Sequence, residues 1–354
     1  MEKNIGSAAT TDLSGTETLY SVGARQTDAA TGAEETEYMI TKATQWLGYY
    51  KTIPELKKAI DTYATWVLGK GYVADPETQV ILENITGWGE DTFNSIMWNA
   101  LVCKKIYGDA FIEIIRDSDS GELINLKPLD PAVIKIIADE KGIIKRYEQV
   151  GKTPQTKGKI IQTFKPDEIL HLCNDRVADE IHGVSVIEAC QWVIDARNEA
   201  LADQRKVNHR NVVPVRIIEV DTDDQTKISD LKVKYQDAVN KGEVLIIPKG
   251  TVSIASSEIR LQDSLPWIMY LENFFYQAVG VPKTIVGATQ QATEANSKVG
   301  MVVFDPIYIR EITELQMDLW NQLYLKIQWI KQQSLMDNLL ADQSKDTGQL
   351  GMKS

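Results

Sequence analysis

The spacing of apolar residues changes more than once along this chain, and the changes divide it into regions. From Glu37 to about residue 107 large apolar side chains recur at intervals of three and four, the mark of helices that bury one face. Tyr38, Met39, Ala43, Trp46 and Leu47 open the series, and Gly48 with the Tyr49-Tyr50 pair closes this first segment. Pro54 suits the first position of a second helix. Its Leu56, Ile60, Tyr63, Ala64, Val67 and Leu68 share a face, and Gly69-Lys70-Gly71 ends it. Two more helices are expected at about 76–86 and 91–107, the latter carrying Phe93, Ile96, Met97, Ala100, Leu101 and Ile106. The period then drops to two. Phe111–Ile115 reads as a strand and Asp117–Gly121 as a turn, with further strands through Ile124, Val133–Ile137, Ile143–Tyr147, Gly158–Phe164 and Ile169–Leu172.

A helical pattern returns at Ser185 and continues to about residue 211. Val186, Ala189, Cys190, Val193 and Ile194 give it an apolar start, but most side chains from Asp195 to Asn211 are polar or charged. A helix that loses its apolar stripe leaves the core of its own domain. Val212–Val220 then reads as a strand, Gln225–Asn240 as an amphipathic helix, and Glu243–Ile247 and Thr251–Ala255 as strands joined at Pro248-Lys249-Gly250. This is a small βαββ unit between two helices, the second running from about Leu261 to Val279. An uncharged run from Thr284 to Thr293 follows. Asp305-Pro306 starts a long helix with Ile309, Ile312, Leu315, Leu319, Leu323, Ile327 and Ile330 in helical register. The pattern as a whole is α+β.

The two ends differ from the rest. Residues 1–36, rich in Thr, Ser, Ala and Gly, bury too little surface to offset the entropy of ordering, and are expected to form a mobile arm. The tail 334–354 is polar.

Composition removes several classes of function. With 354 residues, 43% of them hydrophobic, the chain is long enough for a substantial core. The stretch Thr92–Cys103, at 12 residues the longest without a charge, is too short for a membrane span, which needs about 20 apolar residues. No secretory signal is visible at Met1-Glu2-Lys3-Asn4. Cys103, Cys173 and Cys190 lie too far apart for a disulfide framework, which points to a reducing compartment. The net charge of -12 argues against a tight phosphate clamp. It is unevenly spread: residues 185–333 carry 16 basic and 19 acidic side chains, so that region is close to neutral.

Candidate chemistry is sparse. Lys283-Thr284 lacks the glycines of a phosphate-binding loop, and Pro282 before the lysine has no N–H to offer. Asp117, Asp119 and Gly121 begin like a calcium loop, but Glu122 and Pro128 stand where an EF-hand needs Gly and Glu, so a hairpin turn is the better reading. His171 and Cys173 alternate on one strand face. With His182 and His209 the only other histidines, no second ligand pair has metal-site spacing, so two side chains on a sheet face is the favoured account. A Cys-His nucleophile lacks an orienting motif. The pairs Glu34-Glu35 and Asp223-Asp224 read as solvated, and Trp46, Trp66 and Trp98 as core. No catalytic residue, metal or cofactor is expected.

The order of motifs is more specific than any one of them. Gly108-Asp-Ala-Phe-Ile-Glu-Ile-Ile-Arg116, Leu126-Lys-Pro-Leu-Asp-Pro131, Asp167-Glu-Ile-Leu-His171, Gly183-Val-Ser-Val-Ile-Glu-Ala189 and Gly280-Val-Pro-Lys-Thr-Ile-Val-Gly287 follow one another, with Asn296 leading to Asp305-Pro306. Over about residues 37–333 this series resembles the portal proteins of tailed viruses, particularly the short siphovirus type.

The resemblance implies a portal fold: a β-containing wing, two stem helices, a small βαββ clip, a tunnel loop and a long C-terminal helix, with little or no crown. In this sequence 37–184 would be the wing, 185–211 and 261–279 the stem helices, and 212–260 the clip. Residues 280–305 would form the tunnel-loop region and 306–333 the long wing helix. It further implies a homo-oligomeric ring, usually of twelve chains, at one capsid vertex of a virion assembled in the host cytoplasm. Double-stranded DNA would pass through without sequence specificity. The expected partners are the terminase, then a head–tail adaptor, and the major capsid protein, with no membrane. Thr284, Gln290, Gln291, Thr293 and Asn296 would face DNA. Asp195, Arg197, Glu199, Asp203, Arg205 and Arg210 would join subunits in the stem, and Asp221, Asp223, Asp224 and Lys227 would meet partners at the clip. The alternatives are another ring-forming virion adaptor or scaffold, or a soluble hydrolase with an unrecognised site.

Overall fold

The computed structural model describes residues 35–139, 142–153, 156–178, 180–212, 216–220, 224–226, 228–230, 232–233, 252–256, 265–287 and 294–330. They fall into two compact units. One is built from residues up to Ile194 and from Leu271 onward, the other from Asp195 to Tyr270.

The first unit begins with a strand, not a helix. β1 (Glu35–Met39) pairs antiparallel with β5 (Ile134–Asp139). Tyr38 packs on the sheet core and stacks on His182, ring centroids 3.6 Å apart. The helical spacing of Tyr38, Met39 and Ala43 is therefore coincidental, and Glu35 and Thr36, expected in the arm, pair with Asp139 and Ala138 in this sheet. α1 (Ala43–Thr52) follows, then α2 (Pro54–Leu68) with proline in its first turn. β2 (Tyr72–Ala74) leads to α3 (Pro76–Glu83), where Asp75 accepts from the Thr78 N–H at 3.0 Å as N-cap. α4 (Phe93–Tyr107) opens with a reciprocal capping box between Thr92 and Ser95.

Strands then dominate, as the change of period requires. β3 (Asp109–Arg116), β4 (Leu123–Leu129) and β8 (Ile169–Cys173) form a three-stranded antiparallel sheet in the order β4-β3-β8. The turn between β3 and β4 is a hairpin in which Asp117 accepts from the Asp119 N–H at 2.9 Å. β1, β5, β6 (Ile144–Val150) and β7 (Ile160–Phe164) form a second sheet in that order. Phe111, Leu129, Ile134, Ile136, Tyr147, Phe164 and Ile169 form one buried apolar cluster shared by the two sheets.

Later in the chain come α6 (Leu265–Val279), the short α7 (Lys283–Val286), α8 (Glu294–Leu323) and β11 (Ile327–Trp329). The long helix differs from the sequence pattern at both ends. The long helix begins at Glu294 and carries Pro306 inside it, and it ends at Leu323 instead of reaching residue 333. Phe304, Tyr308, Ile312, Leu315, Leu319 and Leu323 are its buried seam, while Ile309 is only half-buried. Tyr324, at φ 59°, then turns the chain into the left-handed region, and burial alternates from Leu325 to Ile330 as in a strand. Ile327 and Ile330 mimicked helical spacing by chance. β11 pairs with β2, and Trp329 stacks on Phe93.

The second unit holds most of α5 (Gln191–Val212), the antiparallel pair β9 (Arg216–Val220) and β10 (Val252–Ser256), and the first turns of α6. α5 starts six residues later than Ser185, because Ser185–Cys190 is a strap and a short 3-10 turn. The helix expected over Gln225–Asn240 is helical where described, at 225–226, 228–230 and 232–233. The strand expected over Glu243–Ile247, residues 1–34 of the arm expected over 1–36, and the tail 334–354 lie outside the described residues.

Candidate functional site

The sequence-predicted surface residues fall in both units. Asp195, Arg197, Glu199, Asp203, Arg205 and Arg210 all lie on α5. Glu199 and Asp203 line one open groove of about 380 Å³ with Ala196, Ala200, Gln204, Val207 and Trp267. Asp203 pairs with Lys206 one turn on, at 3.0 Å, and Arg197 is buried. Of the four clip residues, Asp224 is described: its carboxylate accepts from the Thr226 N–H at 3.1 Å. Asp221, Asp223 and Lys227 lie outside the described residues, as do Gln290, Gln291 and Thr293. Thr284 sits in α7, and Asn296 in the first turn of α8.

The expected solvated pair Glu34-Glu35 needs a correction at Glu35. Its carboxylate accepts two hydrogen bonds from Arg146, both 2.8 Å, and one from Lys145 at 2.7 Å. These hydrogen bonds hold its pKa down to about 2. Trp46 is buried, but Trp66 and Trp98 are only half-buried.

The dominant polar feature of the first unit is a buried network that no local motif announced. Lys104 and Lys105 end α4, and Glu311 lies mid-way along α8. The Glu311 carboxylate accepts from Lys104 Nζ at 2.6 Å, Lys105 Nζ at 3.2 Å and the Tyr63 hydroxyl at 2.8 Å. All three charged side chains are more than nine-tenths buried. Burial pushes the Glu311 pKa up, but the two ammonium groups override it and hold the carboxyl down at about 2. Lys105 also donates to Asn174 Oδ1 at 2.8 Å, and Asn174 Nδ2 donates to the Val184 carbonyl at 2.7 Å.

The motif glycines explain how the strap 174–187 can approach α4 so closely. Gly108 is left-handed, at φ 89°, and a Cβ there would lie 2.4 Å from the Gly183 carbonyl oxygen. A Cβ on Gly183 would lie 2.1 Å from the Gly108 carbonyl oxygen. Only glycine fits either position. Around this contact the Asn174 N–H donates to the Gly108 carbonyl at 2.7 Å, and the Ser185 hydroxyl donates to the Ile106 carbonyl at 2.5 Å. The strap that leads into α5 is thereby stitched to the end of α4.

Next to this joint the fold adds a third member to the His171/Cys173 pair. Asp109 stands directly opposite Cys173 in the β3–β8 register, and His171 is opposite Phe111 on the same face. His171 Nε2 lies 2.9 Å from Asp109 Oδ1 and 3.2 Å from Cys173 Sγ, while Nδ1 faces the Tyr147 hydroxyl at 3.0 Å. Burial pulls the His171 pKa down, but Cys173, Tyr147 and Asp109 together hold it well above the ordinary range. Asp109 is 62 residues from His171, beyond the reach of any spacing rule.

This is a two-unit α+β protein whose first unit is locked around a buried charge network. Its sequence matches the family described as phage portal protein over residues 89–302, more than half of the chain. The chain belongs to that family, whose members are structural components of the virion and not enzymes. Its fold is similar to that of a chain in the neck of a native gene transfer agent particle computed with C12 symmetry. The two are 15% identical, with 92% of this chain and 94% of that one covered and a TM-score of 0.69. A chain in the neck of an empty particle computed with C6 symmetry is similar at 15% identity, 88% and 90% coverage and a TM-score of 0.67. An HK97 family phage portal protein from Corynebacterium diphtheriae matches at 14% identity, 80% and 94% coverage and a TM-score of 0.50. At these identities the likeness shows the fold. No curated protein matches the chain in sequence.

Proposed function

We propose that this portal protein assembles into a closed ring, of twelve chains, at one capsid vertex, where double-stranded DNA passes through it during packaging and ejection. The main support is the fold similarity, over nearly the whole of both chains, to a neck component of C12 symmetry. The ring docks the terminase during packaging and the head–tail adaptor afterwards, and it contacts the major capsid protein. It assembles in the host cytoplasm.

In this reading 37–184 with the long helix forms the wing, α5 and α6 are the stem, 212–260 the clip, and 280–305 contains the tunnel loop. The polar α5 is suited to meet neighbouring copies through Asp195, Glu199 and Asp203 against Arg205 and Arg210, while Arg197 is buried within its own chain and does not serve this contact. Each exposed pair contributes little, but a ring repeats the contact in every subunit. Thr284, Gln290, Gln291, Thr293 and Asn296 are uncharged, so they touch passing DNA without gripping its phosphates. Asp221, Asp223, Asp224 and Lys227 serve partner docking at the clip.

A packaging assay tests the conduit. Gln290→Glu with Gln291→Glu places like charge against phosphate, and is expected to slow or block packaging while rings still form. Unaltered packaging by the double variant would contradict DNA contact at this loop.

A further inference from the structure

We infer that Asp109, His171 and Cys173 form a binding site for one soft or borderline divalent cation, such as Zn²⁺, on the β3–β8 face. A carboxylate oxygen, an imidazole nitrogen and a sulfur atom from these residues all lie within 4.8 Å of one another. They come from two paired strands, so the backbone ladder fixes their separation. Zn²⁺ takes such O, N and S donors at about 2.0–2.3 Å, and three protein ligands leave the fourth tetrahedral position for water or another group.

The hydrogen bonding around the cluster is left incomplete without a cation. His171 Nε2 faces both Asp109 Oδ1 and Cys173 Sγ, yet a single N–H points well at only one of them. Asp109 is fully buried, and its Oδ2 has no hydrogen-bond partner. A cation between the three groups would displace the Nε2 proton and the Cys173 thiol proton to solvent, and bind the freed nitrogen lone pair, the thiolate and a carboxylate oxygen together. The surroundings also match what supports metal ligands. The Tyr147 hydroxyl stands 3.0 Å from His171 Nδ1, where it can accept the other ring N–H. The Gly183 N–H donates to Asp109 Oδ1 at 2.8 Å and fixes the carboxylate. Partly exposed Cys173 gives a route in.

Arg176 is the competing group. Its Nη2 donates to Cys173 Sγ at 2.8 Å and so supplies positive charge at the sulfur. The arginine is exposed and can swing into solvent when a cation takes its place.

The test uses Co²⁺ as a spectroscopic probe, titrated into the full chain kept reduced by a non-thiol reductant. The expected result is a saturable thiolate-to-cobalt charge-transfer band, with the visible bands of a tetrahedral site, both displaced by Zn²⁺. Cys173→Ser, conservative at a partly exposed position, should abolish the charge-transfer band in a chain whose circular dichroism is unchanged. Tyr147→Phe should weaken binding by about 10- to 100-fold. Arg176→Ala should bind at least as tightly as the parent. The assignment is overturned by a folded parent with no saturable band, by a band undiminished in Cys173→Ser, or by loss of binding in Arg176→Ala.

Discussion

The Lys104 ammonium and the Glu311 carboxylate, 207 residues apart in sequence, meet at 2.6 Å in the interior of the first unit. Lys105 and the Tyr63 hydroxyl complete the shell of the same carboxylate. A buried ion pair of this kind adds little net stability over an apolar contact, but it is costly to break from one side. It therefore acts as a registration device: α8 packs against α4 at one position along its length.

Glu311→Gln removes the charge and leaves two buried ammonium groups without a counter-charge. The expected loss is about 3–5 kcal/mol of unfolding free energy, measured by denaturant titration. The pH dependence has a defined sign. The folded Glu311 pKa is about 2 against an ordinary 4.5, so its contribution is complete above about pH 4.5 and is lost as pH falls toward 2. Glu311→Gln should flatten that part of the stability curve. A loss below about 1 kcal/mol would mean that the network does not set the register.

Attachment of β1 should also weaken in acid. The Glu35 carboxylate is held at a pKa near 2 by hydrogen bonds from Arg146 and Lys145. Its contribution is present above about pH 4.5 and lost toward pH 2. Glu35→Gln imitates the protonated state at neutral pH, and the β1 amides should then exchange with solvent faster. Exchange equal to the parent's would show that sheet pairing alone holds the strand.

Glycine substitutions separate steric conflict from backbone strain. Gly108→Ala and Gly183→Ala each drive a Cβ into a carbonyl oxygen, at 2.4 and 2.1 Å. Each should cost more than about 3 kcal/mol and lower the soluble yield. Gly121, at φ 73° in open space, carries only the conformational cost, about 1–2 kcal/mol for Gly121→Ala. Thermal melts that rank the three variants together would remove the close-approach explanation of the motif.

Gln322 supplies the pairing that β8 lacks on its free edge. Its Oε1 accepts from the His171 N–H at 2.9 Å, and its Nε2 donates to the His171 carbonyl at 3.1 Å. Gln322→Ala should cost about 1–3 kcal/mol, because both backbone groups lose a partner, and should speed exchange of the His171 amide. Retained protection at that amide would show that the side chain is dispensable.

Most of the layered fold could be read from periodicity, because burial on one face leaves a strong pattern. The exceptions have physical causes. β1, β2 and β11 are three to five residues long and owe their state to partners distant in sequence. Pro306 suggested a helix start, yet α8 runs through it. Of the candidate sites, His171 and Cys173 stood out in the sequence, but Asp109 joined them only through strand pairing. Lys104, Lys105 and Glu311 belong to no motif that the sequence singles out. Nothing local distinguishes a charge that folding will bury.

Whether this chain builds a ring is answered by single-particle imaging of the purified full chain, paired with mass photometry. Closed rings are expected, with a mass near twelve times 39.7 kDa and an axial opening wide enough for duplex DNA. A stable monomer or an open filament at the same concentrations would rule the ring out.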